Sequence, residues 1–409
     1  MTISKPHHIE AVAELLISAV ETEQPLYLSG RGTKSAYHEP AVSAHHLSMS
    51  DYSGIITYEP EELVIDIKSG TPLEEVEAAL ADKNQMLAFE PPDMRHILKT
   101  DTKGTIGGVM AANLSGPRRI SAGAARDYLL GFEAVSGRSG LFKSGSRVMK
   151  NVTGYDLSKL MCGSFGTLAV MTDITLKVLP RPETEATIMV TSSSVKQAQQ
   201  ILASAFMMAT EPSGGAIIAD DNGVHAYIRL EGVGVSVNDR AQAMSSALES
   251  LGSLQLISAD SSQQLWSDIG SLKCFTQSGY SVEQGLWKVS LTPDRLPDFI
   301  DGLNAQKSGA GSSGVLFFAD WAGGLVWLAG LNAEQAGTVR SVLSEVGGGH
   351  AHYLSSENEG VIQPFQPQTG AHLALSRRIK EAFDPLHILN RGVMGLSDDM
   401  YSDSDKAPR

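Results

Sequence analysis

Gly104-Thr-Ile-Gly-Gly-Val-Met-Ala-Ala-Asn113 opens a stretch that runs to Pro182, passing through Lys150-Asn-Val-Thr-Gly-Tyr-Asp-Leu157 and Gly163-Ser-Phe-Gly-Thr-Leu-Ala-Val-Met-Thr172. Glycine tolerates positive φ and adds no Cβ, so turns of this kind let main-chain N–H groups approach a ligand that side chains would hold away. That chemistry suits a phosphate-bearing cofactor. The first segment reads as a loop entering a short helix of small residues. The spans 127–135 and 168–179 read as strands flanking the later glycine cluster, and Pro180 and Pro182 end the unit.

Upstream, apolar residues at helical spacing predict an amphipathic helix over 9–19, followed by a strand over 25–28 that enters Ser29-Gly-Arg-Gly-Thr-Lys-Ser35. Gly30-Arg-Gly32 begins like a dinucleotide fingerprint. The third glycine is missing, however, and Ala36-Tyr-His-Glu-Pro40 does not open a helix, so no helix N-terminus can be placed on a pyrophosphate in the Rossmann manner. Leu63-Val-Ile-Asp-Ile-Lys-Ser-Gly-Thr-Pro72 is a β-branched strand leading into a helix over 73–81, and Phe89-Glu-Pro-Pro-Asp93 is a rigid turn.

Downstream, a β-α-β-β-α-β order occurs twice: over 186–191, 195–209, 216–219, 224–230, 239–251 and 254–257, and again over 286–291, 295–305, 315–319, 325–331, 333–346 and 351–354. The hairpins correspond, Ala219-Asp220 in one and Ala319-Asp320 in the other. Two ferredoxin-like units sharing one antiparallel sheet are expected. A last helix over 372–383 leads to Asp384-Pro-Leu-His-Ile-Leu-Asn-Arg-Gly392, and the polar, acidic 397–409 is expected to be disordered.

The chain of 409 residues exceeds one ordinary domain. Its net charge of −14 argues against a general nucleic-acid or anionic-membrane binder, since phosphate neutralisation needs clustered Lys and Arg. Cys162 and Cys274 form no C-x-x-C pair, which excludes a cysteine-ligated zinc or iron–sulfur site within this chain and fits a reducing compartment. No apolar run approaches membrane-spanning length, and a cytoplasmic location is expected.

Taken in order, the segments 30–35, 63–72, 104–113, 150–157, 163–172 and 384–392 resemble the successive motifs of FAD-binding domains of the vanillyl-alcohol-oxidase type, also called PCMH-type. Lys150 to Leu157, together with the small middle domain, most resembles the FAD-binding E subunits of bacterial glycolate oxidases. The resemblance implies an α+β fold: a PCMH-type FAD-binding domain over 1–182 (subdomains about 1–55 and 56–182), a duplicated ferredoxin-like cap over 183–370, and a segment over 371–396 returning to the first domain.

By position, the resemblance places Ser29, Gly30, Arg31, Gly32, Thr33, Lys34 and Ser35 along the pyrophosphate. Gly104, Thr105, Ile106, Gly107, Gly108, Ala111, Asn113, Ser115 and Gly116 would line the dinucleotide and flavin ring. Gly163, Gly166, Thr167 and Val170 would close over the adenosine side, Asn390 would return toward the flavin, and Pro91 is counted with them. The first glycine loop carries no histidine or cysteine, so the FAD is expected to be non-covalent. Implied partners are a larger FAD-containing subunit that binds glycolate and an iron–sulfur subunit that takes electrons onward. The implied chemistry is hydride removal from Cα of a small 2-hydroxy acid.

Catalytic residues are less legible. His350 and His352 alternate along one predicted strand and share a face, so they read either as a metal or base site or as solvent-facing residues; no metal site is assigned. Arg118, Arg119 and Arg126 read either as a carboxylate or phosphate clamp or as ion pairs at the surface or between domains. Two further readings follow: a self-sufficient dehydrogenase of another hydroxy acid or sugar acid, and an assembly subunit without catalysis of its own.

Overall fold

The structure, a computed structural model, describes residues 3–37, 45–146, 155–220, 222–280, 282–307, 314–355 and 362–395. Lys150 to Gly154 and the tail 397–409 lie outside them.

The first helix, Ile9–Glu21, starts where the His8 ring accepts from the Ala11 N–H at 3.2 Å, and it buries Val12, Leu16 and Ala19. Four- and three-residue steps keep that stripe on one face. It packs against Leu26, Leu47, Val135, Val170, Ile388 and Leu389, beside a small parallel sheet in which His45–Ser48 lies between Ile3–Ser4 and Leu26–Ser29. A bridge between Leu26 and Leu389 adds the C-terminal segment in parallel to the same sheet.

A second, antiparallel sheet follows in the order Ile55–Glu59, Val64–Lys68, Ala169–Lys177, Leu129–Ser136, Leu141–Gly145. The strand expected over 127–135 begins later, because Asp127 accepts from the Ala124 N–H at 2.9 Å and holds Ala125–Tyr128 as a helical turn.

The cap is one eight-stranded antiparallel sheet in the order Ser253–Ile257, Thr184–Ser192, Gly223–Gly232, Gly214–Asp220, Leu316–Asp320, Leu325–Ala329, Leu286–Ser290, His350–Leu354. Read outward from the centre, each half repeats the same arrangement of its own second, third, first and fourth strands. The halves meet through the pairs Ile217–Ala319 and Ile218–Phe318. The period of two then divides the side chains: Ile217, Phe317, Val326, Trp287 and Tyr353 join the core under the cap's own helices, whereas Phe318, Trp327, Leu286 and Leu354 join the core shared with the first part of the chain. Both faces of the sheet are therefore covered.

The duplication reads from the sequence, while the helices Ala259–Gly270 and Lys273–Gln277 between the two units do not. Ala-Asp-Ser-Ser-Gln-Gln is nearly all polar, and the helix is held by Trp266 and Ile269, which bury against the open face of the first unit.

Candidate functional site

Three loops and the returning C-terminal segment converge on one cavity, lined by glycines, small residues and a few polar side chains. The loop after Leu26–Ser29 is fixed from outside: Ser29 Oγ meets His46 Nε2 at 2.7 Å, and Ser48 Oγ donates to the Gly30 carbonyl at 2.9 Å. Opposite it, Thr105 caps the short helix Ile106–Ala111 by accepting from the Gly108 N–H at 3.2 Å. Backbone approach is tight there. A Cβ on Gly107 would stand 2.7 Å from the Ser69 carbonyl oxygen, and one on Gly30 would stand 2.2 Å from Thr105 Oγ1. Phe165, Gly166, Ala169 and Met171 form the third wall.

Two groups in this wall lack the partners that burial calls for. The Lys34 ammonium, partly buried, has its pKa pushed down to about 8 by desolvation, and its one hydrogen-bonding contact among the described residues is Thr33 Oγ1 at 3.5 Å. The Ser69 hydroxyl is buried without a hydrogen-bond partner among the described residues. A desolvated cation and an unsatisfied hydroxyl beside a glycine-lined cavity fit an anionic, hydrogen-bonding ligand, and a dinucleotide is one.

The fourth wall is Asn390, which arrives from the far end of the chain. Its Oδ1 accepts from the Leu28 N–H at 2.7 Å and its Nδ2 donates to the Phe165 carbonyl at 2.7 Å, so one amide pins two other walls. Lys380 holds this segment down, donating to Asp384 at 2.6 Å and to the carbonyls of Thr167 at 2.6 Å and Leu389 at 2.9 Å. Asn390→Ala is expected to cost about 2 kcal/mol of stability, the worth of two satisfied hydrogen bonds, and to speed release of the expected cofactor. Urea unfolding and the rate of cofactor loss on dilution check both, and unchanged retention would remove Asn390 from the cofactor's support.

Of the expected cofactor residues, Ser29, Arg31, Gly32, Thr33, Lys34, Thr105, Gly107, Gly108, Ala111, Gly166 and Asn390 line the cavity. Others stand behind the wall. Ser115 Oγ accepts from the Ala125 N–H at 2.9 Å, Asn113 Oδ1 accepts from the Arg126 N–H at 3.2 Å, Thr167 Oγ1 donates to the Ser164 carbonyl at 2.7 Å, and Val170 is in the core. Pro91 borders a different cleft, between the first part of the chain and the cap. Sequence reading passed over Tyr27, Met49 and Ser69 as lining residues, while Phe165 and Met171 fall inside the 163–172 span expected to close over the adenosine side; Ser69 sits inside the quoted Leu63 to Pro72 motif.

The catalytic candidates separate. Arg118 grips Glu231 bidentately at 2.7 and 3.0 Å, while Arg229 grips Glu90 at 2.9 and 3.0 Å, which makes Arg118 part of an ion cluster between the two halves. Arg126 is exposed near Asp127. Arg119 lies over the Trp321 ring at 3.9 Å. His352 is buried, stacked on Phe365 at 4.1 Å with its Nε2 2.9 Å from the Tyr37 carbonyl, whereas His350, two residues away, is exposed. Among the described residues no three His, Cys, Asp or Glu side chains gather as metal ligands, and no helix is long and apolar enough to cross a membrane.

Residues 2–144 match the FAD binding domain family, so the cofactor this part of the chain takes is FAD. The chain is 32% identical over 385 residues to the glycolate oxidase subunit GlcE of Escherichia coli (strain K12), covering 94% of this chain and 97% of that protein. It is 28% identical over 196 residues to the glycolate oxidase subunit GlcD of Bacillus subtilis (strain 168), covering 48% of this chain and 40% of that protein. Among solved structures, p-cresol methylhydroxylase with substrate bound superposes with a TM-score of 0.68 at 13% identity, covering 97% of this chain and 89% of that chain, a likeness of fold alone. With the PCMH-type architecture in place and the similarity extending across nearly both whole chains, the protein belongs to the family of the glycolate oxidase subunit GlcE.

Proposed function

We propose that this chain is the smaller FAD-bearing subunit of a multi-subunit oxidase of glycolate or a close 2-hydroxy acid. It works beside a larger flavoprotein and an iron–sulfur protein that carries electrons away. The observation that carries this reading is the unpaired Lys34 ammonium at the glycine-lined cavity, where the cofactor's pyrophosphate or flavin oxygens would supply the missing negative charge. The family relationship to the glycolate oxidase subunit supports the substrate.

Bound FAD supplies the two-electron acceptor chemistry. The chain's own residues supply the setting. Gly30 and Gly107 permit close backbone approach, Lys34 and Ser69 offer donors, Asn390 holds the walls in register, and Phe165 and Met171 keep water off the apolar side. None of the described lining residues is a histidine or cysteine, which supports non-covalent attachment.

Lys34→Met tests the reading. Losing one charge-assisted contact is expected to weaken FAD binding about 10- to 100-fold, read by titrating the apoprotein with FAD. Reconstituted with its two partners, the variant should lower glycolate-dependent dye reduction in proportion to the flavin lost from this chain. FAD held as tightly as in the parent would overturn the role of Lys34, and a complex indifferent to this chain's flavin would overturn the function.

A further inference from the structure

The two most enclosed cations have carboxylate partners: Arg229 is matched by Glu90, with Arg118 and Glu231 beside it, and Lys380 by Asp384. Partly buried cations are less evenly matched, and Lys34, which faces the cofactor cavity, has no carboxylate among the described residues. Lys288, also partly buried, is another such case. It sits mid-strand in Leu286–Ser290, paired in register with Trp327 on one side and His352 on the other, and it shares with Leu286 the sheet face turned toward the FAD-binding half. Among the described residues no carboxylate meets its ammonium, which lies 5.9 Å from the Trp321 ring and 5.8 Å from the Trp327 ring.

Those ring contacts do not explain a charge placed there. Both are at the outer edge of the roughly 6 Å range over which a cation and an indole attract, where the gain is smaller than the desolvation it must offset. A second cation makes the deficit larger: Arg119, from the turn that follows the glycine loop, lies on the same Trp321 ring at 3.9 Å. Desolvation first, and then the field of Arg119, push the Lys288 pKa down to about 8. Trp321 itself is tied to the FAD-binding half, its Nε1 donating to the Gly116 carbonyl at 3.0 Å. The two cations therefore reach the seam between cap and FAD-binding half from opposite sides.

We infer that Lys288 and Arg119 form an anion site that takes a short-chain carboxylate against Trp321. The guanidinium fork suits a planar carboxylate, the ammonium adds a point charge, and the indole flanks suit a two- or three-carbon chain. This rests on the proposed oxidation of a 2-hydroxy acid by the assembly, and it gives this chain a carboxylate site of its own in addition to the partner's.

The test is anaerobic calorimetric titration of the FAD-loaded full-length chain with glycolate, with ethylene glycol and sulfate as probes lacking the carboxylate. Glycolate is expected to saturate one site, ethylene glycol to give no binding, and sulfate to bind at least about tenfold more weakly. Lys288→Met and Arg119→Met should each weaken glycolate about tenfold or more, and Lys288→Arg should recover part of the loss. Lys288→Met carries a further sign: without an anion its melting temperature should lie above the parent's, because an unmatched, partly buried charge has been removed, and added glycolate should no longer stabilise it. Absence of glycolate binding in a flavin-loaded parent, equal binding of sulfate, or variants that bind as the parent does would each overturn the site. A parent that purifies without flavin would count against the proposed function instead, and the same titration of that apoprotein would still decide the anion site.

Discussion

The Gly107→Val variant is expected to purify without flavin. A Cβ at position 107 would lie 2.7 Å from both Cβ and the carbonyl oxygen of Ser69, and the Gly107 N–H donates to that same carbonyl at 2.8 Å. Backbone cannot swing aside as a side-chain tip can, so the helix Ile106–Ala111 must lift away from the strand that ends at Lys68. Overpacking of this kind costs about 1–3 kcal/mol of stability. The ligand loses more, because Gly107, Gly108, Ala111 and Ser69 all border the cavity and move relative to one another. FAD affinity should fall more than about 100-fold, the equivalent of some 2.7 kcal/mol. Flavin absorbance after gel filtration measures it. Gly337→Ala is the control: it lies in the helix Ala336–Glu345, a Cβ there meets nothing within 4 Å, and stability should hold or rise. Full flavin content in Gly107→Val would show that the close approach at Ser69 is not what shapes the site.

Arg229→Met should be the most destabilising change outside the cofactor cavity. Arg229 is 1% exposed, grips Glu90 bidentately, accompanies Arg118 in facing Glu231, and rests on the Trp266 ring at 4.7 Å. Removing it leaves two carboxylates to share Arg118, and an uncompensated buried charge of this type costs about 3–5 kcal/mol. The pH profile carries a second signature. Burial pushes the Glu231 carboxyl up, but Arg229 and Arg118 outweigh that and hold it at about 2, and Glu90 is held low in the same way. A carboxylate with a depressed folded pKa contributes stability that is fully present above its unfolded value, roughly 4.3, and is lost as pH falls through the folded one. The parent should therefore weaken from about pH 4.3 down toward 2, whereas in Arg229→Met, with both carboxyls titrating closer to their unfolded values, that acid-induced loss should shrink. Urea denaturation between neutral and acid pH follows both effects. A variant within about 1 kcal/mol of the parent at neutral pH would mean that the cluster is no structural keystone.

Sequence reading reached furthest where chemistry is local. The glycine segments announced the cofactor because close backbone approach restricts each position to glycine by itself, and alternation along single strands was enough to expose the duplicated cap. It faltered where meaning depends on distant partners. Arg118 left a clamp and an ion pair equally open, because Glu90, Arg229 and Glu231 lie far off along the chain. His350 and His352 share a strand face yet end in different surroundings, since Tyr37, Phe165 and Phe365 close over only the second. Lys288 drew no notice because a lysine flanked by Trp287 and Val289 reads as the solvent side of a strand. In this sheet that face turns toward the first part of the chain, and Lys288 is only partly exposed there.

The Asn390 bond to Leu28 spans 362 residues. During synthesis the ribosome completes the strand Leu26–Ser29, both glycine loops and the entire cap before that amide exists, so the nascent chain carries an open trough rather than a pocket. Closing it waits on one of the longest loops the chain can make, and entropy makes such closures late. Flavin capture is thereby coupled to synthesis past position 390, and a chain stalled before it offers the cofactor three walls out of four.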